Sequence, residues 1–135
     1  MINKNIILLE RLTGKRVLLE NVNDSFLRSY AQELEKQGII FTYEVTDREY
    51  PNSVKIKIIE IPDSMRGTGE GSKVMKTLND WADKNNVVLH LVPAGSHKNS
   101  AKFLYSWYAH FGYIKNEGKN EIDGLSIMYR LPHNE

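Results

Sequence analysis

Between Val54 and Val92 the chain reads strand, glycine-rich turn, helix, strand, and this run limits the fold more than any other feature. Val54, Ile56 and Ile58 alternate with Lys55 and Lys57, the two-residue period of a half-buried strand. The phase then breaks, because Ile59 follows Ile58 directly and the apolar set continues at Ile59 and Ile61. One inserted residue that flips the alternation is a β-bulge, a feature that gathers beside active sites; two covered faces near the strand's end give the same pattern. Val74, Met75, Leu78, Trp81 and Ala82 then recur at helical spacing over Gly69 to Asn85. Val87 to Val92 is a nearly unbroken apolar run, as in a central strand covered on both sides.

Shorter signals flank this unit. Ile6 to Leu9 and Val17 to Leu19 lie either side of Thr13-Gly14 and predict a short opening hairpin. Asn23 or Asp24 caps a predicted helix with Leu27, Tyr30, Ala31 and Leu34 on one stripe, and Gly38 stops it. Phe41, Tyr43 and Val45 form the buried side of a strand, followed by a turn at Pro51-Asn52-Ser53. After a loop from Pro93 to Lys98, Asn99 or Ser100 caps a helix with Ala101, Leu104, Tyr105, Tyr108 and Phe111 on its stripe, ending at Gly112. Two strands follow, Tyr113-Ile114 and Leu125 to Leu131. The order of elements predicts a mixed α/β fold with hairpins around a central strand–helix–strand unit.

Length and composition narrow the function classes. The 135 residues predict one domain over 1–135, and the 41% apolar content supplies a core. There is no cysteine, which removes disulfides, thiolate nucleophiles and cysteine zinc sites and points to a reducing, cytoplasmic setting. His97, His110 and His133 lack metal-ligand spacing, so no metal is expected. A net charge of +1, and lysines 55, 57, 73 and 76 without interleaved aromatics, argue against nucleic acid as a partner. The four-residue run Ile6 to Leu9 is too short for a signal peptide or a membrane span, so no membrane partner is expected.

The chemistry concentrates in Arg66-Gly67-Thr68-Gly69-Glu70-Gly71-Ser72-Lys73, at the junction of strand and helix. Glycines there let the backbone turn its N–H groups toward a ligand, and the helix N-terminus adds a partial positive charge suited to phosphate. Arg66 at the mouth offers a charge-assisted contact. A Walker A loop fails here, since the required Gly-Lys-Ser/Thr is Ser72-Lys73-Val74. The dinucleotide fingerprint fails too, with Ser72 at its third glycine. A glycine-rich turn without a ligand is the plain structural reading.

Arg66-x-x-Gly69-x-Gly71 resembles the Gln/Arg-x-x-Gly-x-Gly/Ala motif of the GNAT superfamily of acetyltransferases, and stands where that family has it, between a strand and a helix. Trp107-Tyr108-Ala109-His110-Phe111-Gly112-Tyr113 is similar to that family's Leu/Phe-Tyr-x-x-x-Gly-Phe, and Met128-Tyr129-Arg130 resembles the last strand of many small members. The likeness runs from about Val54 to Leu131, with a shortened N-terminal part. Ala101 stands where members often carry an Asn seven residues before the tyrosine.

The resemblance implies a central twisted mixed sheet with a bulged, splayed central strand pair and flanking helices. It implies acetyl-CoA as co-substrate, its pyrophosphate on the amides of Gly67, Thr68, Gly69, Glu70, Gly71 and Ser72, with Arg66 beside them. A strand N–H near Ile59 to Ile61 would then stabilise the thioester oxyanion. Tyr108 takes the position of the family's general acid, against the alternative of a core aromatic, with Tyr105 one turn earlier. Glu60 and His90 are the candidates for the base. Against them stand a solvated edge for Glu60 and a hydrogen-bonded core histidine for His90, and the family often uses a water chain instead. The acceptor is a small-molecule or peptide amine. The rival function is a non-catalytic CoA-binding module, and edge strands at the C-terminal end leave room for a homodimer.

Overall fold

A computed structural model of the protein describes residues 22–93 and 101–133. The expected opening hairpin, all of the loop from Pro93 to Lys98 except Pro93, and the cap at Asn99 or Ser100 lie outside the described residues.

The first helix, α1 (Ser25–Lys36), follows its predicted stripe: Leu27 and Leu34 are buried, with Tyr30 and Ala31 half-buried. Asn23 and Asp24 divide the start between them. Asn23 Oδ1 accepts from the Ser25 amide at 3.0 Å, while Asp24 receives Arg28 and the Tyr43 hydroxyl, each at 2.9 Å. Gly38 ends the helix in a left-handed turn (φ 85°), its amide donating to the Glu35 carbonyl.

Strands β1 (Ile40–Val45) and β2 (Ser53–Glu60) pair antiparallel. The ladder shifts register where Thr42 faces Ile58 and Tyr43 faces Ile56, so Lys57 is the extra residue of a bulge. The broken alternation at Ile58-Ile59 is its imprint. Ile56 is buried, Lys57 and Ile58 both face outward, and Ile59 returns to the core.

A short 3₁₀ turn (Asp63–Met65) leads to α2 (Glu70–Asn85), which buries Val74, Met75, Leu78, Trp81 and Ala82. Burying a side chain of the Leu or Met class contributes roughly 1.5–3 kcal/mol, so this stripe anchors the helix on the sheet. Strand β3 (Val88–Leu91) is buried at every residue, as the apolar run predicts. After α3 (Ala101–His110), the chain finishes with β4 (Ile114–Lys115) and β5 (Met128–Arg130).

The five strands form one mixed sheet in the order β1-β2-β3-β5-β4, with β2 and β3 the parallel neighbours. The fold is therefore mixed α/β, with the core between this sheet and the helices. Strand β5 is shorter than the predicted 125–131. The Asn116 amide still donates to the Ile127 carbonyl at 2.8 Å, but the groups before it are held by side chains. The Leu125 carbonyl accepts from Asn116 Nδ2 at 2.9 Å, and the Ser126 amide donates to His90 Nδ1 at 3.0 Å.

Candidate functional site

Two glycines shape the head of α2. Gly67 (φ 78°) and Gly69 (φ 85°) both adopt the left-handed conformation, and no atom lies within 4 Å of where a Cβ would sit on either. The backbone conformation, not crowding, therefore calls for glycine there. Gly69 is the N-cap residue and supplies no side-chain cap. The first intrahelical bond runs from the Lys73 amide to the Gly69 carbonyl, at 3.0 Å. The amides of Glu70, Gly71 and Ser72 therefore precede the helix's own hydrogen-bonding pattern. They make a cluster of donors at the positive end of a 16-residue helix.

Gly71 serves a different purpose. A Cβ there would stand 3.4 Å from the Trp107 ring and 3.8 Å from Ile61 Cγ1. Trp107 of α3 thus seats its indole over the first turn of α2, beside the end of β2. Ala at Gly71 makes an ordinary contact with that ring, whereas Ala at Gly69 meets left-handed strain. Gly69→Ala is therefore expected to lower stability by about 1–2 kcal/mol, and Gly71→Ala by less than about 0.5 kcal/mol, in denaturant unfolding.

Arg66 is held by its own loop. Its Nε donates to the Ile61 carbonyl at 3.3 Å and pairs with Asp63 at 3.0 Å. Thr68 Oγ1 donates to the Met65 carbonyl, closing the same turn. These contacts position the cradle, so Arg66 reaches its mouth only by leaving Asp63.

The second half of the site lies along β2. Pairing with β3 stops at Ile56 opposite Leu91, one residue before the bulge. From Ile58 to Glu60 the strand keeps β1 on one side, and no strand pairs with the other side among the described residues. Alternate amides of an extended strand point to opposite neighbours, so this stretch presents main-chain donors to an open edge. Ile59 and Ile61 turn toward the core here, while Glu60 is exposed and makes no hydrogen bond or ion pair among the described residues.

Tyr108 follows Trp107 on α3 and packs edge-on against both Trp107 and Tyr113, with ring centroids 5.1 and 5.8 Å apart. Its hydroxyl has no hydrogen bond among the described residues, and burial pushes its pKa above the ordinary tyrosine value. It therefore keeps its proton at neutral pH. Tyr105 sits under the Lys115 ammonium at 4.9 Å, which turns it to a different surface.

His90 does not join this group. It is 2% exposed, and both ring nitrogens are occupied. Nδ1 accepts from the Ser126 amide, so Nε2 carries the proton of the neutral ring and donates to Thr46 Oγ1 at 2.7 Å. Thr46 passes the chain on to Ser53 Oγ at 2.6 Å, and Ser53 donates to the Tyr50 carbonyl at 2.7 Å. Burial, with a smaller contribution from Lys55, lowers the His90 pKa to about 4. The core-histidine alternative describes it, and as a base it is corrected: no ring nitrogen is free for a substrate.

Asn79 is a packing support that the sequence reading missed. It is buried on the apolar face of α2, donates to the Phe111 carbonyl at 3.2 Å and accepts from the Tyr113 hydroxyl at 3.3 Å. This fixes α3 and its aromatic residues against α2. The signal was a lone amide flanking an otherwise apolar stripe.

Among the described residues no group of three or more His, Cys, Asp or Glu could hold a metal ion, and no helix is long and apolar enough to cross a membrane. Compared with known proteins, the chain matches no family model, no curated protein and no solved structure.

Proposed function

We propose that the protein is an acetyl-CoA-dependent N-acetyltransferase of the GNAT type, moving an acetyl group to an amine. One observation carries the reading: the donor cradle of Gly69 to Ser72 opens beside a bulged strand whose parallel partner stops pairing at Ile56. An extended ligand with a diphosphate in its middle fits both features at once.

In this reading the amides of Gly69, Glu70, Gly71 and Ser72 hold the pyrophosphate, with Gly67 and Thr68 shaping the loop. Bound there, acetyl-CoA supplies an activated acetyl thioester. The free amides between Ile58 and Ile61 orient the acetyl carbonyl and stabilise negative charge on its oxygen. Tyr108 holds the proton that the departing sulfur requires. Glu60 stands at the open edge, where it takes the amine's proton directly or through water.

The second reading, a CoA-binding module without catalysis, draws on the base candidates. His90 is locked in the core, and Glu60 has no partner to orient it. Two measurements separate the readings. Trp107 is half-buried at the cradle while Trp81 is buried in the core, so CoA is expected to change the fluorescence of wild type and Trp81→Phe but not of Trp107→Phe. Thiol release from acetyl-CoA with a panel of amines then reports chemistry. Binding without release on any acceptor favours the module, and absence of binding removes both readings.

A further inference from the structure

Eight large apolar side chains are exposed among the described residues, and four of them gather at one end of the sheet. They are Ile40 of β1, Ile58 of β2, Val92 just past β3 and Ile127 just ahead of β5, 43–48% exposed. The register brings them together. Thr42 faces Ile58 across β1 and β2, and Ile40 lies two residues along, opposite Glu60. Strands β2 and β3 run parallel to their last pair, Ile56 with Leu91, so Ile58 and Val92 lie just past the same end. Met128 of β5 pairs antiparallel with Leu91, which sets Ile127 at that end too.

The four also share a face. Phe41, Leu91 and Met128 belong to the helix-covered core, so their neighbours Ile40, Val92 and Ile127 project from the opposite side of the sheet. Ile58 faces outward beside the bulge. A contiguous exposed apolar strip of this kind marks a binding surface.

Two observations define its occupant. The strip is continuous with the open edge, because Ile58 begins the stretch of β2 that no second strand covers. Glu60 alternates with the inward Ile59, so it projects to the strip's face, and it makes no ion pair among the described residues. Glu44, further along that face, stands opposite Lys55 instead. Lys57, outward at the bulge next to Ile58, opposes a second positive charge on anything bound there.

We infer that the acceptor is a primary amine on an uncharged apolar body, with the amine at Glu60 and the body along Ile58, Val92, Ile127 and Ile40. The inference rests on the acetyl-transfer reading and narrows its acceptor. On the other side of the open edge, Ile59 and Tyr108 pack against the core, which leaves the strip's side for the amine's approach.

The test measures kcat/KM for thiol release from acetyl-CoA with two pairs of primary amines of matched size, leucinamide against asparaginamide and n-hexylamine against diglycolamine. Wild type is expected to favour the apolar member of each pair roughly tenfold, the low end for an apolar contact on an open surface. Val92→Thr/Ile127→Thr keeps β-branching at two exposed positions, and circular dichroism and the Trp107 response to CoA check its fold and cradle. Its preference is expected to shrink to roughly threefold or less. Equal rates within the pairs, or a preference that survives in the variant, overturns the inference while acetyl transfer stands. Sedimentation of wild type as a dimer that the variant disperses, without selectivity in the rates, gives the strip to a second copy and also overturns it. No release with any of the four amines overturns both the inference and the acetyl-transfer reading.

Discussion

Tyr108→Phe is expected to lower the rate of thiol release from acetyl-CoA by roughly 10²–10⁴-fold, the range for loss of a general acid, with little change in CoA affinity. The variant isolates one atom. The hydroxyl makes no hydrogen bond among the described residues, and the ring holds its edge contacts with Trp107 and Tyr113. Phe preserves those contacts and removes the hydroxyl of a half-buried ring, so stability should change by less than about 1 kcal/mol. A fall in turnover with unchanged melting and unchanged fluorescence response is thus a chemical effect. If turnover is retained, Tyr108 is a core aromatic and the proton for sulfur comes from elsewhere. Because burial raises the Tyr108 pKa, the acid stays protonated through neutral pH, and no loss of rate from its ionisation is expected below pH 9 or so.

Acid is expected to weaken the fold well before the carboxylates titrate, through His90. Its pKa falls from an ordinary 6.5 to about 4 in the folded chain. Between these values the unfolded chain binds a proton that the folded chain refuses. The stabilisation is therefore complete above pH 6.5 and is lost progressively as pH falls toward 4. The shift corresponds to about 3 kcal/mol, taking ~1.4 kcal/mol per unit. Protonation also takes the lone pair of Nδ1 from the Ser126 amide and places a charge on a ring facing Thr46, with Lys55 on the neighbouring strand. Urea unfolding of wild type and His90→Gln from pH 7 to 4.5 tests this. The variant should be less stable at pH 7 yet lose less over the range; parallel slopes would show that other groups carry the acid sensitivity. Asp83, whose hydrogen bonds from Arg130 and the His133 amide outweigh the upward push of burial, has a pKa below the ordinary 3.8, so its contribution is lost only at still lower pH.

The two experiments probe opposite faces of the sheet. Leu89 and Leu91 of β3 point into the helix-covered core, whereas His90 and Tyr129 pair across to the face where Ser126 and the Asn120 carbonyl meet them. This division explains why both nitrogens of His90 are enclosed. A histidine within an apolar strand leaves its identity to whatever covers that face, and here an irregular segment supplies a main-chain donor to one nitrogen and a threonine hydroxyl to the other.

Much of the fold was legible along the chain because its signals are local. Helical spacing in Val74 to Ala82 and alternation in Val54 to Ile58 arise from the geometry of helix and strand themselves. Gly67 and Gly69 marked the turn that they make, since left-handed backbone is a property of single residues. The doubled apolar pair Ile58-Ile59 recorded a bulge because a flipped phase has to appear in the order of residues.

What only the tertiary structure decided concerns partners distant in sequence. The sequence could not say that Trp107 would cover Gly71, that Asn79 would hold the end of α3, or that Asp63 would occupy Arg66. Nor could it locate where β2 and β3 stop pairing, although the open edge of the candidate site depends on that point. Periodicity states which side of an element is buried, and backbone conformation states where the chain turns. Which donor meets which acceptor is fixed only when the elements pack, and the candidate site is made of such meetings.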